Sequence, residues 1–319
     1  MHYLSLMRPK DWIKNAFVLI PVLFWVNSPE NLGLTAASEV AFDTLVTLLG
    51  FCILASGVYA INDALDAARD RMHPVKRTRP VASGAISPRN AILFGMVLLL
   101  ASFGCSLAVG PNVFLGFLLY LLLQAFYNLL AKRLVLVDAV TIALGFVLRA
   151  AAGAFAIDIQ LSVWLVLCVF FLCLYLAFVK RLCDYSSSRA AQDSGWRSPA
   201  GYDDPLELNW LLGVSGVMSL MMYLSYSLSV HAFTVFGPRA IGFALLSPLV
   251  LIVIHRFYRL ANEGRSDSPF ATITSDLTMQ LGAVLFLVGI GLCLYVPAVE
   301  GVLSDLLIQF GPAGAAPAP

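Results

Sequence analysis

Apolar residues run almost unbroken through this chain, and polar ones gather at a few places between the runs. A short run at 16–26 is followed by eight longer ones near 44–64, 90–109, 112–131, 137–157, 162–182, 208–230, 238–257 and 277–297. Each of the eight is about as long as a helix must be to cross a bilayer. Backbone polar groups in lipid have to pair within their own segment, so runs of this length predict helices. The expected fold class is an all-α polytopic membrane protein of about nine transmembrane helices. The first run is short, and its lower end is expected to lie in the interface as an amphipathic segment. Beyond the last run, 299–310 predicts a short interfacial helix, and the Gly-Pro-Ala tail from Gly311 predicts disorder. The chain therefore divides, in expectation, into one transmembrane domain over 1–297 and a helix with its tail over 298–319.

Composition agrees with that pattern. Hydrophobic residues make up 60% of the 319 and charged ones only 12%, against about 25% charged in a soluble domain. The N-terminal Arg8, Lys10 and Lys14 ahead of an apolar run resemble a signal peptide in charge order. No small-residue cleavage site follows, and Pro21 and Trp25 suit a first membrane helix better. The six cysteines lie in or beside apolar runs, form no C-x-x-C and have no histidine at ligand spacing. They read as small buried hydrophobes, with neither a zinc site nor a disulfide framework.

Placing the N-terminus in the cytoplasm puts 18 of the 20 Lys and Arg residues on the cytoplasmic side. The exceptions are Arg239, outside, and Arg149, within a span. Basic residues are retained inside, so the expected topology is N-in with the C-terminus out. The long polar loops fall on the same side as the charges. The chemistry is thus expected to face the cytoplasm, with helical hairpins around a central cavity that opens there.

Where the run near 44–64 gives out, the adjacent Asn62 and Asp63 are followed by Asp66 and Asp70, at offsets of three, four, seven and eight from them. A continuing helix would carry all four on one face. Like charges stacked in this way repel. Either a hard divalent cation such as Mg²⁺, bridging carboxylates to substrate phosphates, offsets that repulsion, or the nearby Arg and Lys do so as a solvated helix end. Arg149 lies eleven residues beyond Asp138, on nearly the same helical face and about 16 Å deeper. A charge at that depth marks a lined cavity, an ion pair or a structural hydrogen bond. Asp138 is expected near Tyr127, Asn128 and Lys132. Lys180 and Arg181 close a span with Asp184 within reach; a positive-inside flank with a local salt bridge is the plainer account of them. Lys14, Lys76, Arg77, Arg79, Lys132, Lys180 and Arg181, gathered with one acidic cluster, suit a substrate with several phosphates.

Asn62-Asp63-x-x-Asp66-x-x-x-Asp70 matches the N-D-x-x-D-x-x-x-D signature of the UbiA superfamily of intramembrane transferases, which the chain resembles over about 5–297. Most members are prenyltransferases with a second motif, D-x-x-x-D, in a later loop. Here Asp184 is followed four residues on by Ser188, and no other D-x-x-x-D occurs in that loop. The finer pattern is similar to the decaprenyl-phosphate phosphoribosyltransferase branch. The similarity lies in Arg8-Pro9-Lys10 with Trp12, Lys14 and Asn15; His73-Pro74-x-Lys76-Arg77-x-Arg79-Pro80; Tyr127, Lys132 and Asp138; Gly145 to Ala150 with Gly153; Leu161-Ser162 with Trp164; Lys180-Arg181; and Asp267-x-Pro269 with Asp276. Asp184 stands where that branch has Glu.

The resemblance implies a Mg²⁺-dependent enzyme of the bacterial inner membrane that moves 5-phosphoribose from phosphoribosyl diphosphate to a polyprenyl phosphate lipid. Asp63 and Asp66 are the first choices as metal ligands, with Asn62 and Asp70 beside them. Phosphate would be held by Lys14, Lys76, Arg77, Arg79, Tyr127, Lys132, Asp138, Arg149, Lys180 and Arg181. A phosphomonoester is already ionised at neutral pH, so His73 and His255 are expected to be hydrogen-bonding or interfacial residues rather than general bases. No nucleic-acid partner is expected. The resemblance also admits a homo-oligomer, a trimer at family level. The rival readings are transfer of a prenyl group to an aromatic acceptor and, from another class, transport of phosphorylated solutes. Transport would distribute charges through the bilayer rather than crowd them on one side. The topology is open to direct test: single cysteines at 71–89 and 185–205 should be protected from an impermeant thiol reagent added outside. Cysteines at 232–236 should react, and the opposite pattern would invert the assignment.

Overall fold

A computed structural model of the chain describes residues 2–27, 34–72, 76–160, 162–190, 201–202, 204–263, 272–273 and 275–310. His73, Pro74, Leu161, Asp267, Pro269, most of the 185–205 loop beyond residue 190, and the tail 311–319 lie outside the described residues. Every regular element among the described residues is helical. Eight helices among them are long and apolar enough to cross a membrane, from Ala37–Leu65 to Leu277–Tyr295, and they fall on the eight longer apolar runs. The short run at 16–26 is helical too, but it is divided between a 3₁₀ helix, Pro9–Leu19, and a short α-helix, Ile20–Asn27. Pro21 has no N–H to offer the Phe17 carbonyl, which accepts from Ile20 instead, a 3₁₀-type bond.

The chain forms two compact units. The first comprises Met1–Ala131 and Leu144–Leu161. It holds α1 (His2–Met7), the 3₁₀ helix, α2 (Ile20–Asn27), α3 (Leu34–Leu65), α4 (Ala67–Arg71), α5 (Pro88–Val109), α6 (Pro111–Leu129) and most of α7 (Val137–Ala156). Helix α3 is its axis, with Phe51, Leu54 and Val58 packed against Val18, Leu99 and Phe117. Lipid tails are as apolar as leucine, so helices in a bilayer associate by close packing and small residues permit it. Gly57 and Gly95 meet back to back where α3 crosses α5. A Cβ on Gly57 would stand 3.0 Å from the Gly95 carbonyl oxygen, and one on Gly95 2.9 Å from that of Gly57. The tightest approach brings α7 onto the 3₁₀ helix, where a Cβ on Gly153 would overlap the carbonyl of Val18.

The second unit comprises Lys132–Ala143 and Ser162–Pro319. It holds the start of α7, then α8 (Val163–Ala190), α9 (Pro205–Ser227), α10 (Val230–Phe236), α11 (Arg239–Leu245), α12 (Ser247–Asn262), α13 (Leu277–Tyr295) and α14 (Pro297–Phe310). Helices α11 and α12 make one crossing, Arg239–Asn262, broken near Leu246 because Pro248 has no N–H for the Ala244 carbonyl. Phenols tie these helices together: Tyr175 donates to the Ile254 carbonyl and Tyr223 to that of Phe243, each at 2.6 Å. Arg256 grips Asp276 through two bonds, 3.1 and 2.6 Å, and holds its carboxyl below the usual carboxylate range. Asp276 in turn caps α13 by accepting from the Met279 N–H. Arg239 pairs with Glu300 at 2.6 Å, tethering α14 to α11.

The Gly153 contact gives a stability test. Gly153→Leu should lower the unfolding midpoint in detergent, at a cost of about 3 kcal/mol or more if the backbone must move. Gly104→Leu, where a Cβ meets open space, should have little effect, and equal losses in the two variants would contradict the packing.

Candidate active site

In the first unit, α3 ends at Leu65 and the backbone bends at Asp66 (φ −90°, ψ 2°) before α4 begins. The hydrogen-bond ladder nevertheless runs through the bend. The Asp66 N–H donates to the Asn62 carbonyl and the Asp70 N–H to that of Asp66, both at 2.9 Å. Asp63 and Asp70 therefore stay on one face, and both are buried, at 3% and 5% exposure. Asn62 and Asp66 are half-buried beside them.

The charges of Asp63 and Asp70 are met by two arginines. Arg79 follows the short 3₁₀ turn Lys76–Thr78, and its Nη1 donates to Asp63 Oδ1 at 3.1 Å and to Asp70 Oδ2 at 2.7 Å. Arg8 donates from Nη2 to the same Asp63 oxygen at 2.5 Å, with its guanidinium 5.0 Å from the centre of the Tyr59 ring. Its backbone is left-handed (φ 52°, ψ 61°), a conformation an L-residue with a long side chain seldom adopts. Arg71 pins the loop by donating to the Ala82 carbonyl at 3.2 Å. Lys76 is half-buried and Arg77 exposed on the same loop. Lys14 is exposed and pairs with Asp11 at 2.6 Å.

Deeper in this unit, Arg149 is buried. Its Nε donates to Asn15 Oδ1 at 2.8 Å, Nη1 to the Gly145 carbonyl at 2.9 Å, and Nη2 to the Tyr120 hydroxyl at 2.7 Å. The rings of Tyr120 and Phe146 lie against its guanidinium, 4.7 and 5.0 Å from centroid to Cζ. These hydrogen-bond partners are neutral. Tyr127 is half-buried near the end of α6.

In the second unit the sequence placed Asp138 near Tyr127, Asn128 and Lys132, but its charge is met from much further along the chain. Asp138 is fully buried. Its Oδ2 accepts from Arg181 Nε at 2.7 Å and its Oδ1 from the Tyr202 hydroxyl at 2.6 Å. The predicted Arg181–Asp184 pair is present at 3.3 Å, as the weaker of the two bonds. Lys180 is exposed, and Lys132 is half-buried on the 3₁₀ turn Ala131–Arg133. Neither Tyr202 nor Tyr120 stands out in the sequence. Arg8 reads in the sequence as one member of a motif and as a membrane flank. A tyrosine in a polar loop or an apolar run carries no signal of its partner.

Among the described residues no cluster of three or more His, Cys, Asp or Glu side chains is arranged to hold a metal ion. The donors nevertheless fit Mg²⁺. This ion is typically held by one or two carboxylates together with substrate phosphates rather than by an all-protein cage. Asp63 and Asp70 offer hard oxygens that already converge on a single cationic nitrogen of Arg79.

All-helical architecture, an acidic motif at the end of a membrane helix and arginines around it define a class. The sequence profile of the UbiA prenyltransferase family matches residues 18–275, and the chain belongs to that family. It is an integral-membrane transferase. Within the family, it is 28% identical over 295 residues to the decaprenyl-phosphate phosphoribosyltransferase of Corynebacterium glutamicum, covering 91% of this chain and 86% of the relative. The protein of the same name from Mycobacterium tuberculosis is 28% identical over 286 residues, covering 89% and 91%. A UbiA homolog from Archaeoglobus fulgidus, solved bound to GPP and Mg²⁺, superposes with a TM-score of 0.65 at 20% identity, covering 93% of this chain and all of that one.

The Arg149 network predicts a measurable cost. Tyr120→Phe removes an acceptor from a buried guanidinium and should destabilise the folded protein by about 1.5–3 kcal/mol, read as a lower unfolding midpoint in detergent. An unchanged midpoint would show that the bond contributes nothing.

Proposed function

We propose that this chain transfers 5-phosphoribose from phosphoribosyl diphosphate to a membrane polyprenyl phosphate, such as decaprenyl phosphate, and releases diphosphate. The observation that carries the reading is the similarity, over most of both chains, to relatives named decaprenyl-phosphate phosphoribosyltransferase. The buried Asp63–Arg79–Asp70 cluster supports it, as an assembly of carboxylates and guanidinium suited to a polyphosphate. In the proposed topology the N-terminus and this cluster lie on the cytoplasmic side of a bacterial inner membrane.

In the reaction a phosphate oxygen of the lipid forms a bond to the anomeric carbon while the bond from that carbon to diphosphate breaks. The attacking phosphomonoester is already an anion at neutral pH, so no side chain need remove its proton. Asp63, Asp66 and Asp70, with Asn62 beside them, are the residues that would hold Mg²⁺. When bound there, the ion neutralises charge on the leaving diphosphate. Arg8 and Arg79 carry planar guanidinium forks that suit phosphate oxygens as well as carboxylates. An incoming diphosphate therefore competes with Asp63 and Asp70 for them. Lys14, Lys76, Arg77, Lys132, Lys180 and Arg181 are proposed to hold the remaining phosphate charge, and Tyr127, Asp138 and Arg149 to orient the groups around it.

Prenyl transfer to an aromatic acceptor is the second reading. The match to a family described as prenyltransferases favours it, whereas the missing D-x-x-x-D at Asp184–Ser188 speaks against it. Purified protein with labelled phosphoribosyl diphosphate, polyprenyl phosphate and Mg²⁺ separates the two. Lipid-soluble label is expected, and it should disappear when the metal is chelated. Asp63→Asn should cut turnover by several orders of magnitude, as the loss of one carboxylate from a metal–phosphate cluster does. Label entering an aromatic acceptor from a prenyl diphosphate, and none from the phosphoribosyl donor, would overturn the assignment.

A further inference from the structure

Tyr202 is buried at 1% exposure although it belongs to the polar stretch between α8 and α9. Its hydroxyl has two partners. It donates to Asp138 Oδ1 at 2.6 Å and accepts the Leu136 N–H at 2.9 Å. Its ring stands edge-on to Phe178, one helical turn before Arg181 on α8. Tyr202 thus ties three separate segments together: the turn before α7, helix α8 and the stretch that leads into α9.

The backbone on either side is unusual. Leu136 has φ 68° and Gly201 has φ 74°, both left-handed. Glycine adopts that conformation freely, but leucine is strained there and persists only where its surroundings over-determine it. The Leu136 bond to Tyr202 is one such constraint. Burial and the adjacent Asp138 carboxylate push the Tyr202 phenol up, so it remains a proton donor throughout the physiological range.

Stability alone is a weak reason for such a network. Replacing a buried ion pair by apolar groups is often neutral or stabilising, because desolvation costs about as much as the pair contributes. The geometry serves orientation better. Asp138 takes Arg181 at Nε, and Asp184 takes the same guanidinium at Nη1. Nε, Cζ and both Nη atoms are coplanar, so two fixed bonds set the plane of the whole fork.

We propose that Tyr202 and Asp138 are positioning residues which, through Arg181, set the donor affinity of this enzyme. Tyr202 holds Asp138, Asp138 holds the Arg181 guanidinium, and Arg181 presents its fork to a phosphate of phosphoribosyl diphosphate. This rests on the reading of Arg181 as a phosphate-binding residue given above.

The test is calorimetric binding of phosphoribosyl diphosphate with Mg²⁺ to the purified full-length protein in detergent, without acceptor, alongside steady-state kinetics. Arg181→Ala, Tyr202→Phe, Asp138→Asn and the Arg181→Ala/Tyr202→Phe double variant are compared with the wild type. Tyr202→Phe should weaken donor binding and raise the donor KM by roughly tenfold, the size of one lost hydrogen bond to a charged group. The kcat and the KM for polyprenyl phosphate should stay within about twofold of wild type. The double variant should bind no worse than Arg181→Ala alone, since a residue acting through Arg181 has nothing left to act on. Asp138→Asn keeps the side chain's shape and should likewise weaken donor binding, which covers the case of a Tyr202→Phe protein that does not fold. Wild-type donor affinity in Tyr202→Phe and Asp138→Asn beside a weakened Arg181→Ala would overturn the proposal. So would a lower unfolding midpoint with unchanged donor affinity, or losses that add in full in the double variant. Wild-type affinity in Arg181→Ala would remove the phosphate-binding reading itself, and the proposal with it.

Discussion

Two carboxylates, Asp63 and Asp70, are buried at the end of a membrane-spanning helix, where an ionised group without a partner is costly. Much of the first unit is arranged around meeting that cost. Arg79 returns on a short loop to touch both, and Arg8 reaches Asp63 from a left-handed backbone. Removing either partner from a buried pair leaves an uncompensated charge, which costs more than the pair itself contributes. The loop and the N-terminal segment are therefore tied energetically to the acidic motif. What looks in the sequence like a metal site with basic flanks is, in the folded chain, one electrostatic assembly.

The same rule operates deeper, with different partners. Arg149 is buried among a carboxamide, a carbonyl, a phenol and two aromatic faces, which spread its charge over neutral dipoles and ring quadrupoles. Asp138 is compensated by one cation and one phenol. In all three places a long polar side chain from one segment meets a short one from another. This is what makes their positions specific in an environment where apolar contacts alone discriminate poorly between helix registers.

Most of the helical architecture could be read directly from the amino-acid order, because a bilayer leaves a spanning segment few alternatives. The eight long runs and the eight observed helices differ by at most seven residues at their ends. The segment at 16–26 was harder to read, since Pro21 and the left-handed Arg8 act on local backbone geometry rather than on hydrophobicity. Spacing correctly placed Asp63 and Asp70 on one face and paired Arg181 with Asp184. It could not find Arg181 on Asp138, Tyr202 on Asp138, or Arg8 on Asp63. These partners are separated by 43, 64 and 55 residues, and no periodicity spans such distances. Composition did hint at them: in a chain with so few charges, each acid inside or beside a span must find a partner somewhere.

The likeness to solved UbiA structures at 20% identity speaks for the fold and leaves the substrate to local chemistry. The acidic motif on α3 and α4 is common to readings in which a diphosphate leaves, whatever group it leaves behind. In the proposed reaction, discrimination would come from the cations that meet the rest of the donor. In the second unit an acidic D-x-x-x-D is absent, and Lys180 and Arg181 lie just ahead of Asp184 instead. A second metal-binding loop would suit a donor whose only charge is its diphosphate. Positive side chains suit a donor with an additional phosphate, because charge-assisted bonds to phosphate are about twice as strong as neutral ones. An arginine already bound to carboxylates keeps its planar fork ordered before substrate arrives, so little side-chain entropy is lost on binding. The Asp138–Arg181–Asp184 contacts are thus not evidence that Arg181 is spent on structure. They are the contacts that the proposed phosphate-binding role would require.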